Sequence, residues 1–128
     1  MHLQERINKY KVSPKSERTM DGIVFDSKLE MNRWAYLKIM EKAGKISNLR
    51  RQVVYVLQEE FRHQGINHRA ITYKADIVYM TIRGETIEDP KGMATPLFKA
   101  KKKMLLFTHP WINFHEIKNA QEVGGLIL

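Results

Sequence analysis

Apolar residues recur with helical spacing in two segments of the chain. The first predicted helix follows Ser27 and runs to Ala43, and Gly44 directly after it suits a left-handed helix cap. The second is predicted to begin at Pro96, in the favoured first-turn position, and to end near Thr108. Its expected buried stripe consists of Leu97, Ala100, Met104 and Phe107.

A period-two pattern predicts a strand between residues 70 and 80, where apolar side chains alternate with more polar ones. Asp76 falls on the more polar face of this strand. The turn expected at Arg83-Gly84 predicts that residues 85–89 return as the second strand of an antiparallel hairpin, which brings Asp76 near Asp89. The apolar face is expected to consist of Tyr73, Ala75, Ile77 and Tyr79.

Two further strands are predicted at 53–57 and 111–117, and a hairpin turn or loop at Gln64–Asn67. The predicted order is helix, strand, strand, strand, helix, strand, which indicates an α/β fold of the α+β kind with a mixed sheet. Residues 1–20 are polar and basic, so we expect a flexible arm there, followed by a single domain over 21–128. The end of the chain, 119–128, has no predicted role.

Composition narrows the class of protein. The chain has no cysteine, which excludes disulfides and cysteine-rich zinc sites. No stretch approaches the roughly 20 apolar residues that cross a membrane, so we expect a soluble, cytoplasmic protein without a membrane partner.

The formal net charge of +8 favours binding to polyanions, above all nucleic acid. The lysines expected to contact phosphate groups are Lys74, Lys99, Lys102 and Lys103.

Candidate chemistry lies around the predicted hairpin. If Asp89 and Lys91 occupy an extended segment, their side chains leave the backbone on one face, while the Pro90 carbonyl remains available. With Asp76 from the neighbouring strand, this is an all-oxygen ligand set of the kind that magnesium or manganese prefers. Glu30 joins the set because helical spacing places it on the face of Trp34, which points it inward.

Each of these residues also has a structural interpretation. Asp89 to Gly92 suits a type I turn. Ser27 and Glu30 suit a capping box, in which the glutamate only bonds back to the start of the helix. Asp76 could also be a solvated strand residue paired with Lys74 or Arg69.

The element order, together with Asp76 and the Asp89-Pro90-Lys91 triplet, resembles the PD-(D/E)XK nuclease superfamily. The segments FDSKLE, GKISNL, ITYKADIVY and EDPKG look more narrowly like a small, largely phage-encoded endonuclease family, similar in size to Holliday junction resolvases. The resemblance implies a restriction-endonuclease-like core over about residues 20–118. Proline in the middle of the triplet departs from a regular strand, since it cannot donate a ladder hydrogen bond.

The resemblance further implies a magnesium-dependent endonuclease that hydrolyses DNA phosphodiester bonds, with manganese as a substitute metal. Asp76, Asp89, Glu30 and the Pro90 carbonyl would be metal ligands, and Lys91 would act on the attacking water or on the developing charge. It also implies a homodimer that cuts branched DNA in phage recombination, within the host cytoplasm. The alternative is a non-catalytic basic DNA-binding module.

Overall fold

The computed structural model describes residues 13–90 and 95–121, and they form a mixed α/β structure, as predicted. The two helices are α1 (Lys28–Lys42) and α2 (Pro96–Thr108). A short 3-10 turn, Lys15–Arg18, precedes the first strand. The strands are β1 (Thr19–Met20), β2 (Ile23–Val24), β3 (Ser47–Gln58), β4 (Phe61–His63), β5 (Ile66–His68), β6 (Ile71–Thr81), β7 (Gly84–Asp89) and β8 (Asn113–Glu116).

The main sheet has four strands in the order β3-β6-β7-β8. β6 is antiparallel to both β3 and β7, whereas β8 is parallel to β7. A parallel neighbour requires a crossover connection, and α2 supplies it. The predicted hairpin of β6 and β7 is present, with its two-residue turn at Ile82-Arg83, one position earlier than expected. A second hairpin, β4–β5, turns at Gln64-Gly65, where both residues have positive φ.

The end of α1 follows the sequence prediction closely. Gly44 has a φ of 77°, in the left-handed region that glycine adopts without strain. Its N–H donates to the carbonyl of Glu41 at 3.0 Å, and that of Lys45 donates to the carbonyl of Met40 at 2.9 Å. These two bonds form a Schellman motif, which satisfies the last carbonyls of the helix.

The buried face of α2 differs from the predicted one. Leu105 is fully buried and Phe98, two turns earlier on the same face, is partly buried. The helix carries apolar residues on two faces, and the sheet covers only the face of Phe98 and Leu105. The predicted stripe was therefore wrong: Met104 is partly buried, but Ala100, Leu97 (65% exposed) and Phe107 (83% exposed) face solvent.

Two apolar clusters hold the helices against the sheet. Val78 and Ile77, adjacent on β6, belong to different clusters, so the clusters lie on opposite faces of the sheet. The α2-side cluster consists of Tyr55, Leu57, Tyr73, Ala75, Val78, Ile87, Leu105 and Ile112. The α1-side cluster consists of Phe25, Trp34, Leu37, Ile46, Ile77 and Tyr79.

Along strand β6, the alternation of side chains between the α1 side and the α2 side of the sheet shifts by one residue at Asp76. Tyr73 and Ala75 pack in the α2-side cluster, whereas Ile77 and Tyr79 pack in the α1-side cluster. A regular strand would place all four side chains on one face, as the sequence predicted. The alternation therefore shifts phase at Asp76.

Strand β3 changes phase at the matching position, Gln52. Its φ is 55°, in the left-handed region that is rare for a residue with a side chain. The residues on either side of Gln52 pair with those on either side of Asp76, so the two positions face each other across the ribbon. We call residues 47–51 and 77–81 the proximal half of the ribbon and residues 53–58 and 71–75 its distal half.

A hydrogen bond from Tyr55 to Glu85 shows that the distal half folds over the sheet. Tyr55 pairs with Tyr73 and Glu85 pairs with Met80. These two partners are seven residues apart on β6, which is about 23 Å in a straight strand. Since the Tyr55 hydroxyl nevertheless donates to the Glu85 carboxylate, the ribbon bends at Gln52 and Asp76.

Part of the predicted flexible arm lies within the described residues. The 3-10 turn and β1 fall between residues 15 and 20, and β1 pairs with β2. Arg18 donates to the carbonyls of Ser13 at 2.9 Å and Phe25 at 2.5 Å, which fastens this segment to the domain. Residues 1–12 and 122–128 lie outside the described part of the chain. Neither of the two helices is long and apolar enough to span a bilayer.

Candidate metal centre

Three carboxylates converge at the bend of the ribbon. One oxygen each from Asp26, Glu30 and Asp76 lies within 4.8 Å of the other two. Asp26 stands before α1, Glu30 lies in its first turn and Asp76 lies in the middle of β6. Glu30 (1% exposed) and Asp76 (4% exposed) are buried, whereas Asp26 is exposed. Carboxylate oxygens at this separation can hold one hard divalent cation.

The start of α1 explains why Glu30 points inward. The Ser27 side chain accepts a hydrogen bond from the N–H of Glu30 at 3.1 Å, so Ser27 is the N-cap. The Glu30 carboxylate accepts from the N–H of Asp26 at 3.3 Å and lies 3.3 Å from a guanidinium nitrogen of Arg51. The cap and the inward carboxylate are thus both present, rather than being alternatives.

The carboxylates oppose each other electrostatically. Burial raises the pKa of Glu30, and the negative charges of Asp76 and Asp26 raise it further, while Arg51 lowers it. Arg51 also lies over the ring of Phe25, with its Cζ 4.4 Å from the ring centre. A bound cation would remove the repulsion that a single arginine only partly offsets.

Asp76 is held between two neighbouring strands. Gln52 donates to its Oδ1 at 3.4 Å from β3. On its other side, the last residues paired between β6 and β7 are Ile77 and Glu88, so Asp76 precedes this pair on β6 and Asp89 follows it on β7. The hairpin therefore places Asp76 and Asp89 at the same end of the pairing, although Asp89 is not one of the three mutually close carboxylates.

Asp89 is buried at the end of β7 and influences a neighbouring tyrosine. Burial raises the pKa of Tyr73, and the charges of Asp89 and Asp76 raise it further. Pro90 is also buried and follows the last strand residue, which agrees with the expectation that proline ends the strand. Lys91 and Gly92 lie outside the described residues, so the proposed role of Lys91 and the alternative type I turn stay predictions.

Glu88, next to Asp89, is committed to a different partner. Its carboxylate accepts from Nε and Nη2 of Arg33 at 2.6 and 2.7 Å, and also from the Tyr79 hydroxyl. Burial lowers the pKa of Arg33, but its hydrogen bonds to Glu88 and the Glu88 charge raise it above the usual value. Of the two adjacent acidic residues, Asp89 is therefore the one whose charge acts on Tyr73.

The acidic cluster opens into a cleft of about 520 Å³. The first turn of α2 forms one wall, and this turn contains no acidic residue. This turn offers few N–H donors, because Pro96 has none and that of Phe98 donates to the Thr95 side chain at 3.1 Å. The basic character of the cleft comes instead from three side chains, those of Arg51, Lys74 and Lys101. The lining residues are Val24, Asp26, Arg51, Gln52, Tyr73, Lys74, Asp76, Thr95, Leu97, Phe98 and Lys101.

The predicted phosphate-binding lysines do not all reach this cleft. Lys74 lines it, but Lys99, Lys102 and Lys103 line a separate hollow of about 470 Å³. Lys102 is also engaged, since its Nζ lies 3.5 Å from the carboxylate of Glu116. Lys101, absent from the predicted set, lines the cleft.

Three residues of the site escaped the sequence prediction. Asp26 precedes the N-cap Ser27, where helical spacing does not apply, so nothing in the sequence indicated that it approaches Glu30. Arg33 lies three residues after Glu30, so it also faces inward and requires a buried carboxylate. Gln52 gave no indication, because its polar side chain was compatible with an ordinary strand position.

Comparisons with known proteins give a family but no activity. The family model described as "Protein of unknown function (DUF1064)" matches residues 7–123. No curated protein and no solved structure matches the chain. Any function must therefore be supported by the site itself.

Proposed function

The chain belongs to the DUF1064 family, whose description assigns no activity, and from its site we propose that it is a metal-dependent DNA endonuclease. The observation that carries the proposal is the convergence of Asp26, Glu30 and Asp76 beside a cleft, which two of them, Asp26 and Asp76, line together with basic residues. Burying like charges is costly, so the proximity of the buried Glu30 and Asp76 to each other and to Asp26 supports a site that a cation occupies. A phosphate diester is the anion that suits such a cleft.

The donor set fits magnesium, with manganese as a substitute. Glu30 and Asp76 would hold the ion, with Asp26 and Asp89 as further carboxylate ligands beside them. The Pro90 carbonyl and Lys91 complete the proposed set. A bound magnesium ion would supply charge neutralisation at the scissile phosphate and a more acidic water.

The protein's own groups would place the DNA. Lys74 and Lys101 line the cleft together with two of the carboxylates, so these lysines can hold phosphate oxygens beside them. Arg51 lines the cleft and lies 3.3 Å from the Glu30 carboxylate, so it would keep that carboxylate oriented. Phosphate contacts of this kind position DNA but read no sequence.

The arrangement of elements supports a restriction-endonuclease-like core. The larger elements follow the order α1, β3, β6, β7, α2, β8, with the acidic residues on α1, β6 and β7. We extend the proposal to branched DNA and a homodimer in phage recombination, because the sequence resembles junction-cutting enzymes. Two symmetric cuts across a junction require two active sites.

The test is cleavage of labelled four-way junction, flap, duplex and single-stranded DNA with magnesium, manganese or excess chelator. Asp76→Asn is expected to abolish cleavage and retain DNA binding, because it removes a ligand charge without changing the shape of the side chain. Asp21→Asn is the matched control, since Asp21 is exposed and its φ of 53° is one that asparagine tolerates. Equal cleavage by both variants would contradict the proposal.

The second candidate is a non-catalytic DNA-binding module. The basic walls of the cleft favour it as much as they favour the nuclease. It predicts salt-dependent binding and no metal-dependent cleavage of any of the four substrates. That result with wild-type protein would replace the first proposal by the second.

A further inference from the structure

A buried polar cluster ties α1 to the strands next to the acidic site. Arg33, Glu88 and Tyr79 are all fully buried. Besides its two bonds to Glu88, Arg33 donates through Nη1 to the carbonyl of Ala120 at 2.8 Å. The guanidinium is therefore held from two sides, by β7 and by the segment that follows β8.

Stability alone does not account for this cluster. Removing two charges from water costs about as much as their attraction returns, and apolar residues of similar volume often serve as well or better. What the pair provides is a defined orientation of Arg33 relative to Glu88. Two parallel N–H···O bonds fix both the distance and the plane of the guanidinium relative to the carboxylate, which an apolar contact does not.

The position of the pair relates it to the carboxylates. Arg33 lies three residues after Glu30, so the two side chains are neighbours on one face of α1, about 4.5 Å apart along the helix axis. Glu88 directly precedes Asp89, and its partner on β6 is Ile77, directly after Asp76. The pair thus joins α1 to β7 at the residue before Asp89, and that residue is itself paired with the one after Asp76.

We propose that the Arg33–Glu88 pair is a positioning device, which sets the rotation and height of α1 against the β6–β7 hairpin so that Glu30 meets Asp76 at metal-binding separation. The inference rests on the proposed function, since it takes these carboxylates to hold a divalent metal. Arg33 and Glu88 touch neither metal nor substrate in this role. They act through the residues beside them.

The principal test replaces the pair by apolar residues, in Arg33→Met/Glu88→Leu. We expect cooperative thermal unfolding to persist, because the interior stays filled and no single buried charge is left. Magnesium affinity, measured by titration calorimetry without DNA, is expected to fall about 10- to 100-fold, as for other groups that orient metal ligands. A folded double variant with wild-type magnesium affinity would overturn the proposal.

A milder variant decides the matter if the double variant does not fold. Tyr79→Phe removes one hydroxyl that donates to Glu88, and it is expected to weaken magnesium binding several-fold. Its matched control is Tyr55→Phe, which removes a hydroxyl that donates to a different glutamate, Glu85. A purely structural role predicts equal magnesium affinity for the two variants, and that outcome would refute the positioning role.

Wild-type protein separates this proposal from the one on which it rests. If it neither binds magnesium nor cleaves DNA, the proposed function fails and the positioning role fails with it. If it does both, and the Arg33, Glu88 and Tyr79 variants bind magnesium normally, only the positioning role fails.

Discussion

Glu30 combines two roles that rarely coincide at a helix start. Its N–H is bonded by the Ser27 cap, while its carboxylate is buried beside Asp76 and Asp26. An acidic residue in the first turn normally favours a helix, but here burial and two like charges act against it. Glu30 is therefore unfavourable for stability without metal, but it supplies a carboxylate to the proposed metal centre. Such a balance between stability and activity is common at functional positions.

This balance predicts that Glu30→Gln stabilises the metal-free protein. A carboxyl with a raised folded-state pKa contributes stability that is present below its ordinary pKa and is lost as pH rises through the raised value. At pH 7 with chelator, the variant should gain about 1 kcal/mol in free energy of unfolding, and less at pH 4. Urea denaturation at both pH values measures the difference.

The same variant should lose the stabilisation that magnesium gives the wild type. Glu17→Gln serves as the control, because Glu17 is exposed and lies 3.7 Å from Lys28 on the surface. Lower stability of Glu30→Gln at pH 7 would show that the Arg51 contact outweighs the repulsion.

Single residues were predictable where periodicity constrained them. Glu30 lies inside a helix whose apolar face could be traced from Trp34 and Leu37, so its inward direction followed from spacing. Asp26 lies before the first turn, where no period applies, and nothing indicated that an exposed aspartate would approach a buried one. Pairs such as Arg33 and Glu88, 55 residues apart, depend on how α1 docks on the sheet.

At the scale of elements, the bend of the β3–β6 ribbon determines where the site lies. Gln52 supplies the unusual backbone angle and Asp76 lies directly across from it. Residues held in sparsely populated backbone regions cluster at functional sites. The strain at Gln52 is consistent with a bend retained because it exposes Asp76 to the cleft.

Gln52→Val is expected to destabilise the protein by about 1–3 kcal/mol, because a β-branched side chain resists positive φ. It should also weaken magnesium binding, since it removes the donor to Asp76. Gln58→Val, at the exposed last position of the same strand, is the control and should change stability little. Urea denaturation of the two variants compares them, and equal stabilities would argue against strain at Gln52.

The elements themselves were largely predictable, and the bend was not. Ser27 and Gly44 marked the ends of α1, Pro96 marked the start of α2, and the hairpin of β6 and β7 followed from a polar turn between two strand-forming runs. The alternation from Tyr73 to Tyr79 continues in the sequence without interruption, so nothing there indicated a change of face. The exposed stripe of α2 was mistaken for its buried one because the helix carries apolar residues on two faces.

At the scale of the whole molecule, the net charge of +8 is not spread evenly around the cleft. Lys74 and Lys101 line it, whereas Lys99 and Lys103 face the separate hollow on α2. Charge near the proposed scissile phosphate should matter most for DNA binding, because each phosphate contact releases counterions locally.

The variant Lys74→Gln/Lys101→Gln is therefore expected to bind DNA more weakly and with a smaller salt dependence. Each lost contact should reduce the slope of log affinity against log salt by about 0.9 on duplex DNA. Lys99→Gln/Lys103→Gln removes the same charge and is the matched control. Fluorescence anisotropy with chelator present measures the DNA affinity and its salt dependence. A larger loss of affinity in the control variant would place the DNA at the hollow lined by Lys99 and Lys103 instead.

The folded-over ribbon divides the molecule into two parts that meet at the acidic residues. Its distal half packs in the α2-side cluster, whereas in its proximal half Ile77 and Tyr79 pack in the α1-side cluster and Val78 packs in the α2-side cluster. We expect the two clusters to open with different free energies, which amide hydrogen exchange resolves. Asp76 lies at the boundary between the two parts, and Glu30 lies in the α1 part. An ion bound by both residues would connect the two parts. Metal binding would therefore slow amide exchange in both parts rather than in one.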